Sequence, residues 1–291
     1  MRKIRIRTEN RAPALSEESF WNRRRAAALL AAVCLAALVC VTAAGWLCRE
    51  QAAAVDFSRK NLPPCLDCPF GTDWMGRDMF LRTLTGLSLS IRLGLLTAAV
   101  SSAVALALGT SCAVLGEWAD SAIGCLIDLV LGIPHMLLLV LISCAVGKGF
   151  KGVLIGISLT HWTSLARLLR AEALQIKSGQ YVQTARKLGK GPLYLAVKHL
   201  APHLIPQVIV GMVLLFPHAI LHEASITFLG FGLPPEQPAV GVILSESMKY
   251  LAMGRWWLAL FPGLLLVLVV MLFHVTGEML KGLLDPGQTH R

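Results

Sequence analysis

Long uncharged runs alternate with shorter charged segments along most of the chain. A helix needs about 20 largely apolar residues to cross a bilayer, so the pattern predicts six transmembrane helices. The third run is interrupted only by Asp128, and the fourth is short because it contains His161 and Trp162. The predicted spans are Ala26–Cys48, Leu93–Leu115, Ala122–Val146, Gly152–Ala166, Leu204–Leu229 and Trp256–Val275.

The first run has two interpretations. It follows three arginines and has small residues near Thr42–Ala44, as a cleaved signal peptide does. Its uncharged stretch is longer than the roughly 7–15 apolar residues of a signal peptide, which favours an uncleaved span.

The composition agrees with a membrane protein. Of 291 residues, 55% are hydrophobic and 15% are charged, and the mean hydropathy is +0.64. A soluble domain carries about 25% charged residues. The formal net charge of +10 could suggest nucleic acid as a partner. The basic residues lie beside the apolar runs, however, so membrane orientation explains them better and no nucleic acid is expected.

Two strongly basic segments fix the expected orientation. One precedes the first span and contains Arg2, Lys3, Arg5, Arg7, Arg11 and Arg23–Arg25. The other joins spans four and five and contains Arg167, Arg170, Lys177, Arg186, Lys187, Lys190 and Lys198. With six spans both segments lie on one side of the membrane, and the positive-inside rule makes that side cytoplasmic. Both termini are then cytoplasmic, and the loops at 49–87 and 231–255 are external.

The segment Ser178–Pro206 has its own helical pattern. Tyr181, Val182, Ala185 and Leu188 recur at helical spacing with polar residues between them. Gly189 stands where a left-handed residue would end the first helix, and Pro192 suits the start of a second, which is expected to stop near Pro202. Such a helix pair could dock into a groove on a soluble partner or lie on lipid, and the pattern alone fits both.

The spacing of Gln183-Thr184-Ala185, Gly189 and Pro202, with Tyr181 and Leu188, resembles the EAA loop of binding-protein-dependent ABC importers. The match is incomplete: Gln183 replaces the usual Glu, Thr184 the first Ala, and Ala201 the Leu before the proline. The resemblance implies that residues 178–206, here called the coupling loop, contact an ATP-binding subunit.

Three further stretches extend this resemblance to about residues 20–287. Residues 70–78, FGTDWMGRD, are called here the signature segment; its motif residues are Gly71, Thr72, Asp73, Gly76, Arg77 and Asp78. Residues 223–232, EASITFLGFG, form the second stretch. The third comprises Phe261-Pro262-Gly263 and Leu284-Asp285-Pro286. Together they are similar to the second-permease type of the dipeptide/oligopeptide/nickel family.

The resemblance implies an all-α type I ABC importer transmembrane domain of six helices in a bacterial inner membrane. It implies as partners two ATP-binding subunits, a second homologous permease, an extracytoplasmic substrate-binding protein and membrane lipid. The expected division is a basic N-terminal segment at 1–25, a first helix at 26–48, an external loop at 49–87, a transporter core at 88–280 and a cytoplasmic tail at 281–291. No GxxxxGK[ST] phosphate loop occurs, so ATP and Mg are expected on partner subunits, with no cofactor on this chain.

Ionisable residues inside the spans are candidates for the translocation pathway because they are costly there. They are Asp128, His135, His218, His222 and Glu223. His218 and His222 share a helical face and could bind a transition metal together, or could instead hydrogen-bond to neighbouring helices. The HxxxH spacing looks like the nickel branch of the family, which leaves nickel, a metal chelate or small peptides as cargo.

Other functions fit less well. A secondary transporter would be expected to show matching halves with broken helices, and none is apparent. A metalloprotease HExxH motif fails because residue 226 is Ile, and no GxSxG nucleophile motif occurs. Cys65 and Cys68 stand in a polar loop without a second cysteine pair, which favours a local disulfide or two free thiols over a metal site.

Overall fold

The computed structural model describes residues 17–284, with side chains described for residues 25–283. This part of the chain is almost entirely helical. The helices are α1 Glu17–Leu47, α2 Arg49–Ala53, α3 Met79–Val114, α4 Glu117–Gly132, α5 His135–Val146, α6 Phe150–Lys177, α7 Gln180–Lys187, α8 Pro192–Leu195, α9 Ala201–Phe228, α10 Val240–Leu251 and α11 Trp257–Leu284. A 3₁₀ turn at Phe57–Arg59 and a π-helical turn at Ala196–Leu200 complete the described elements.

Among the described residues, five helical stretches are long and apolar enough to cross a membrane, and a bent helix pair can supply a sixth. The bent pair consists of α4 and α5, which meet at 97° around Ile133 and Pro134. A residue before proline is pushed out of helical geometry, and Ile133 is accordingly extended. The predicted third span is therefore broken.

The predicted short fourth span is wrong in its length, because α6 is a full helix of 28 residues. Some of its polar side chains donate hydrogen bonds to carbonyls of the same helix. Thr160 Oγ1 donates to the Gly156 carbonyl at 3.0 Å, and Trp162 Nε1 donates to the Leu159 carbonyl at 2.9 Å. A run that looks too polar from its composition can therefore cross the membrane when other helices cover it, and two thirds of its most apolar stretch is buried.

The second span is also longer than predicted. Helix α3 begins at Met79, so residues 79–87, expected in the external loop, are helical. Asp78 caps the helix, with its carboxylate accepting from the backbone N–H of Phe80 at 2.8 Å and of Leu81 at 3.2 Å. The Ser and Thr residues made the start of this helix look too polar to be part of the span. In the structure, Thr83 and Thr85 donate to carbonyls one turn earlier.

Helix α3 lies at the centre of the bundle and packs against α6, α9 and α1. Close approach to α6 is possible because Gly109 lacks a side chain where the Leu169 side chain lies, 2.9 Å from the site a Cβ would occupy. One buried cluster connects this end of α3 to α7 and α8. Another connects its start, Met79, to α10 and α11. The coupling loop and the signature segment therefore lie at opposite ends of the bundle.

Candidate functional site

The signature segment is organised around the buried carboxylate of Asp73. It accepts hydrogen bonds from the backbone N–H of Met75 and Arg77 at 2.8 and 2.9 Å, and from Arg77 Nε at 2.7 Å. Arg82, from the first turn of α3, adds its Nη1 at 3.2 Å. Arg82 Nη2 in turn lies 2.7 Å from Glu246 Oε2 on α10. This network of charges, buried at Asp73 and Arg82, ties the signature segment to two helices.

The remaining motif residues shape the loop around this carboxylate. Gly71 and Gly76 both have positive φ, and a side chain at Gly76 would overlap the carbonyl of Asp56. Thr72 Oγ1 accepts the N–H of Leu62 at 2.9 Å and donates to the carbonyl of Arg59. The segment thus has a structural role in closing this end of the bundle.

The CxxC pair lies in the same loop, and both thiols are free. Cys65 is exposed, whereas Cys68 is buried with Arg59 Nη2 at 3.1 Å from its Sγ. Burial raises the pKa of the Cys68 thiol, because the charged thiolate loses its hydration there. Cys68 is therefore the less reactive thiol, and Cys65 offers an accessible label on this loop.

The coupling loop contains the predicted helix, turn and helix. Helix α7 ends at Lys187, Gly189 follows with φ +79°, and Pro192 opens α8. The predicted stop near Pro202 is wrong, because α8 continues through the π-helical turn into α9. Pro202 has no N–H to donate to a carbonyl four residues earlier, and the wider turn directly before it accommodates this.

One face of the coupling loop packs on the bundle and the other is open. Val182 is buried in the cluster beneath α7, with Ala185 packed against it. Gln183 Nε2 donates to the Lys177 carbonyl at 2.9 Å, and Thr184 donates to the Gln180 carbonyl at 2.8 Å. The open face carries exposed apolar side chains among basic ones. Leu188 is 74% exposed and Leu193 is 76% exposed. The full set is Tyr181, Leu188, Leu193, Tyr194 and Val197.

The segment 223–232 also has a structural role. Glu223 is fully buried and accepts from Ser90 Oγ on α3 at 2.6 Å and from Thr227 Oγ1 at 3.1 Å. Thr227 Oγ1 also accepts the N–H of Leu233 at 3.2 Å. The following turn is held by Ser143, whose hydroxyl donates to the Phe231 carbonyl at 2.9 Å. Glu223 therefore fixes α9 against α3 and is not turned toward the neighbouring histidines.

Three histidines from three helices meet within the bundle. His135 begins α5, His161 lies in α6 and His222 lies in α9. One ring nitrogen from each lies within 4.8 Å of the others, and the ring centroids are 4.5–5.1 Å apart. His218, predicted as the metal partner of His222, is exposed and lies outside this group. His161 is the third member of the group instead. In the sequence, the only sign of this role was its position within an apolar run.

Asp128 has a different neighbour from the histidines. Its carboxylate accepts a hydrogen bond from Arg167 Nη2 on α6 at 2.6 Å. Asp120, also on α4, accepts one from Arg170 Nη2 at 2.7 Å. Two ion pairs thus connect α4 to α6. Both Asp128 and Arg167 are more than half exposed on this chain. The predicted residues Asp285 and Pro286, and the basic residues before Arg25, lie outside the residues whose side chains are described.

The apolar spans, with the broken α4–α5 pair among them, are typical of a polytopic helical membrane protein. Residues 105–290 match the family described as "binding-protein-dependent transport system inner membrane component". That match covers more than half of the chain. The chain belongs to this family.

Curated relatives support the same assignment. The dipeptide transport system permease protein DppC of Bacillus subtilis is 31% identical over 79% of this chain and 72% of its own length. The probable D,D-dipeptide transport system permease protein DdpC of Escherichia coli is 32% identical over 83% and 80%. The oligopeptide transport system permease protein OppC of Bacillus subtilis is 31% identical over 79% and 77%.

A solved structure supports the fold. Inward-facing MetNI methionine ABC transporter has a chain that is 16% identical, with a TM-score of 0.57 over 70% of this chain and 97% of that chain. The predicted type I ABC importer transmembrane fold is confirmed. The chain is a multi-pass permease subunit of an ATP-driven importer, a transport component and not an enzyme, and it works with ATP-binding subunits and a substrate-binding protein.

Proposed function

We propose that this chain forms half of an import pathway, paired with a second homologous permease, and that its coupling loop docks on one of two ATP-binding subunits in the cytoplasm. The observation that carries this proposal is the open face of the coupling loop. Leu188 and Leu193 lie on either side of the Gly189 turn and are largely exposed at the end of the bundle. Burying two leucines in a groove contributes about 1.5–3 kcal/mol each.

Basic residues border the two leucines along the chain: Arg186, Lys187 and Lys190 are all exposed. ATP-driven closure of the ATP-binding subunits would move α7 and α8. Because Val182 and Leu195 are buried against the spans, this movement would be transmitted to α3, α6 and α9.

The first test replaces both Leu188 and Leu193 with Asp in a chain co-expressed with its own ATP-binding subunits. Charge placed in an apolar contact should reduce co-purification of those subunits at least about tenfold, since one lost leucine contact exceeds 1.4 kcal/mol. The matched control is Leu66→Asp, a fully exposed leucine in the loop at the opposite end, which should leave co-purification unchanged. Normal recovery of the subunits with the double variant would contradict docking through this face.

The second test concerns orientation. In the proposed arrangement, with both termini cytoplasmic, the loop containing exposed Cys65 lies outside the cell and Lys190 lies inside. A membrane-impermeant thiol reagent should label Cys65 in intact spheroplasts, and Cys65→Ser should remove that signal. Lys190→Cys in the Cys65→Ser background should be labelled only after permeabilisation. Labelling of residue 190 in intact spheroplasts would overturn the proposed orientation.

Two cargo classes have support. The names of the relatives favour small peptides. The three histidines within the bundle favour a transition metal or its chelate, because imidazole is a ligand that such metals prefer. Uptake by the reconstituted complex, with a labelled dipeptide compared with labelled nickel, separates the two.

A further inference from the structure

The histidines at positions 135, 161 and 222 form a single cluster drawn from α5, α6 and α9. His161 is buried, and the other two are partly buried. Each helix supplies one imidazole, so the cluster exists only when all three helices are packed. Any ligand bound there would lie at the α4–α5 break, since His135 is the first residue after Pro134.

Hydrogen bonds leave ring nitrogens of the cluster free to act as ligands. His161 Nδ1 lies 3.1 Å from the carbonyl oxygen of Ile157. A carbonyl can only accept, so Nδ1 carries the proton and Nε2 keeps a free lone pair. His222 Nδ1 lies 3.2 Å from the thioether sulfur of Met136, which is also only an acceptor, so the same argument leaves its Nε2 free.

The third histidine supplies an independent observation. His135 Nε2 is buried and has no hydrogen-bond partner among the described residues. A buried polar atom without a partner is unfavourable, because it has lost its hydrogen bonds to water. A cation bound between the three rings would satisfy this nitrogen together with the free nitrogens of His161 and His222.

We infer that His135, His161 and His222 bind a divalent transition metal in transit, carried as a chelate with anionic oxygen ligands. This inference extends the proposed function and rests on it in one respect: the metal is in transit only if the chain is an importer subunit. Three neutral imidazoles suit Ni, Co, Cu or Zn, whereas Ca and Mg prefer oxygen ligands. The Glu223 carboxylate is turned away toward Ser90 and Thr227, so it does not supply an oxygen.

The charge of the site explains why a chelate is preferred to a bare ion. The cluster contains no carboxylate, so a bare metal would remain a dication within the membrane, which is costly. The C-terminus of α4 and the N-terminus of α5 meet at this break, so their opposite partial charges offset each other and do not neutralise a dication. A metal whose charge is balanced by its own carboxylate ligands avoids this penalty.

A cavity beside the cluster provides space for such a chelate. It has a volume of about 290 Å³ and is lined by residues 130–134 of the helix break, by His135 and by Thr160. Non-helical backbone at membrane depth is tolerated where it lines a cavity, and transporters place substrate sites at broken helices. The cavity is at the small end of the range for ligand sites, which suits a few carboxylate groups around one metal.

The test uses nickel iminodiacetate, a neutral complex that leaves three coordination positions for the three imidazoles, and Co²⁺ alone as a second probe. The complex of the permease with its partner subunits is purified without a histidine tag, and equilibrium binding is measured without ATP. We expect one nickel complex bound per chain. The nickel chelate should bind more tightly than nickel chloride, and Co²⁺ should give a visible absorption band of nitrogen coordination.

Single His→Asn substitutions at positions 135, 161 and 222 should each lower the affinity for the chelate at least about 100-fold, since even neighbours of metal ligands contribute 10–100-fold. The cobalt band should disappear in each variant. His274→Asn, an exposed histidine on α11, is the matched control and should leave the affinity within about twofold. Thermal unfolding and co-purification of the ATP-binding subunits show whether each variant is folded.

The variant His218→Asn decides between the three-helix cluster and a pair on α9. Unchanged binding in this variant supports the cluster. Loss of binding on replacing His218, with His161→Asn unaffected, would overturn the inference in favour of the pair, and equal binding by all variants would overturn it outright. If dipeptide uptake with ATP persists while no metal binds, the inference fails and the proposed function stands. If metal binds but no ATP-binding subunit associates, the metal site stands, while the proposed function and the role of the site in transit both fail.

Discussion

Replacing Asp73 with alanine is expected to destabilise the protein by about 3–5 kcal/mol, because it removes the buried partner of Arg82 and leaves that arginine with only the partly exposed Glu246. Asp73 and Arg82 are each only 3% exposed, and the same carboxylate holds two backbone N–H groups of the signature segment. A loss of this size corresponds to a thermal midpoint lowered by about 10 °C in a chain of this length.

Two comparisons show whether the buried charge causes this loss. Asp67→Ala removes an exposed aspartate from the same loop and should change the midpoint by no more than about 1–2 °C. Asp73→Ala combined with Arg82→Met should recover part of the loss, because no arginine is then left buried without Asp73. Equal midpoints for Asp73→Ala and Asp67→Ala in purified protein would show that the network does not stabilise this end of the bundle.

The motif residues of this network were predictable, but their partners were not. FGTDWMGRD is a contiguous pattern, so Asp73 and Arg77 stand out in the sequence. Arg82 is one of several polar residues in a Ser- and Thr-rich run, and Glu246 lies far along the chain on α10. Only the packing of α3 against α10 brings them together, so no local pattern could indicate their roles.

The spans show the same division between local and tertiary information. Apolar runs predicted six crossings, and the structure accommodates this number if the bent pair counts as one. Composition underestimated α6 because it counts hydroxyl and indole groups as polar, although in the helix they donate to backbone carbonyls. The third run was predicted as one continuous span, and its break at Pro134, with a bend of 97°, was found only in the structure.

The candidate metal site could be predicted only in part. Helical periodicity within a single segment identified His222 and paired it with His218, since residues four apart share a face. The structure instead places His222 beside His135 and His161, which come from two other helices. A ligand set contributed by three segments has no fixed spacing in sequence, so the pair on one helix was the only arrangement that periodicity could suggest.

Replacing Gly189 with valine is expected to uncouple ATP hydrolysis from uptake, because the turn between α7 and α8 needs a backbone that valine resists. Gly189 has φ +79°, and no atom lies within 4 Å of the position of an added Cβ, so the effect would be conformational and not steric crowding. An L-residue in this conformation costs about 1–2 kcal/mol, which reduces the population of the native turn about tenfold. Uptake per ATP hydrolysed by the reconstituted complex should fall by a similar factor.

The neighbouring glycine provides a matched control for this prediction. Gly191 is equally open but has φ −71°, which valine adopts without strain. Gly191→Val should therefore retain coupling while adding the same side chain two residues away. Loss of coupling in both variants would show that the added bulk on the docking face causes the effect. Normal coupling in Gly189→Val would show that the angle between α7 and α8 does not transmit ATP-driven motion.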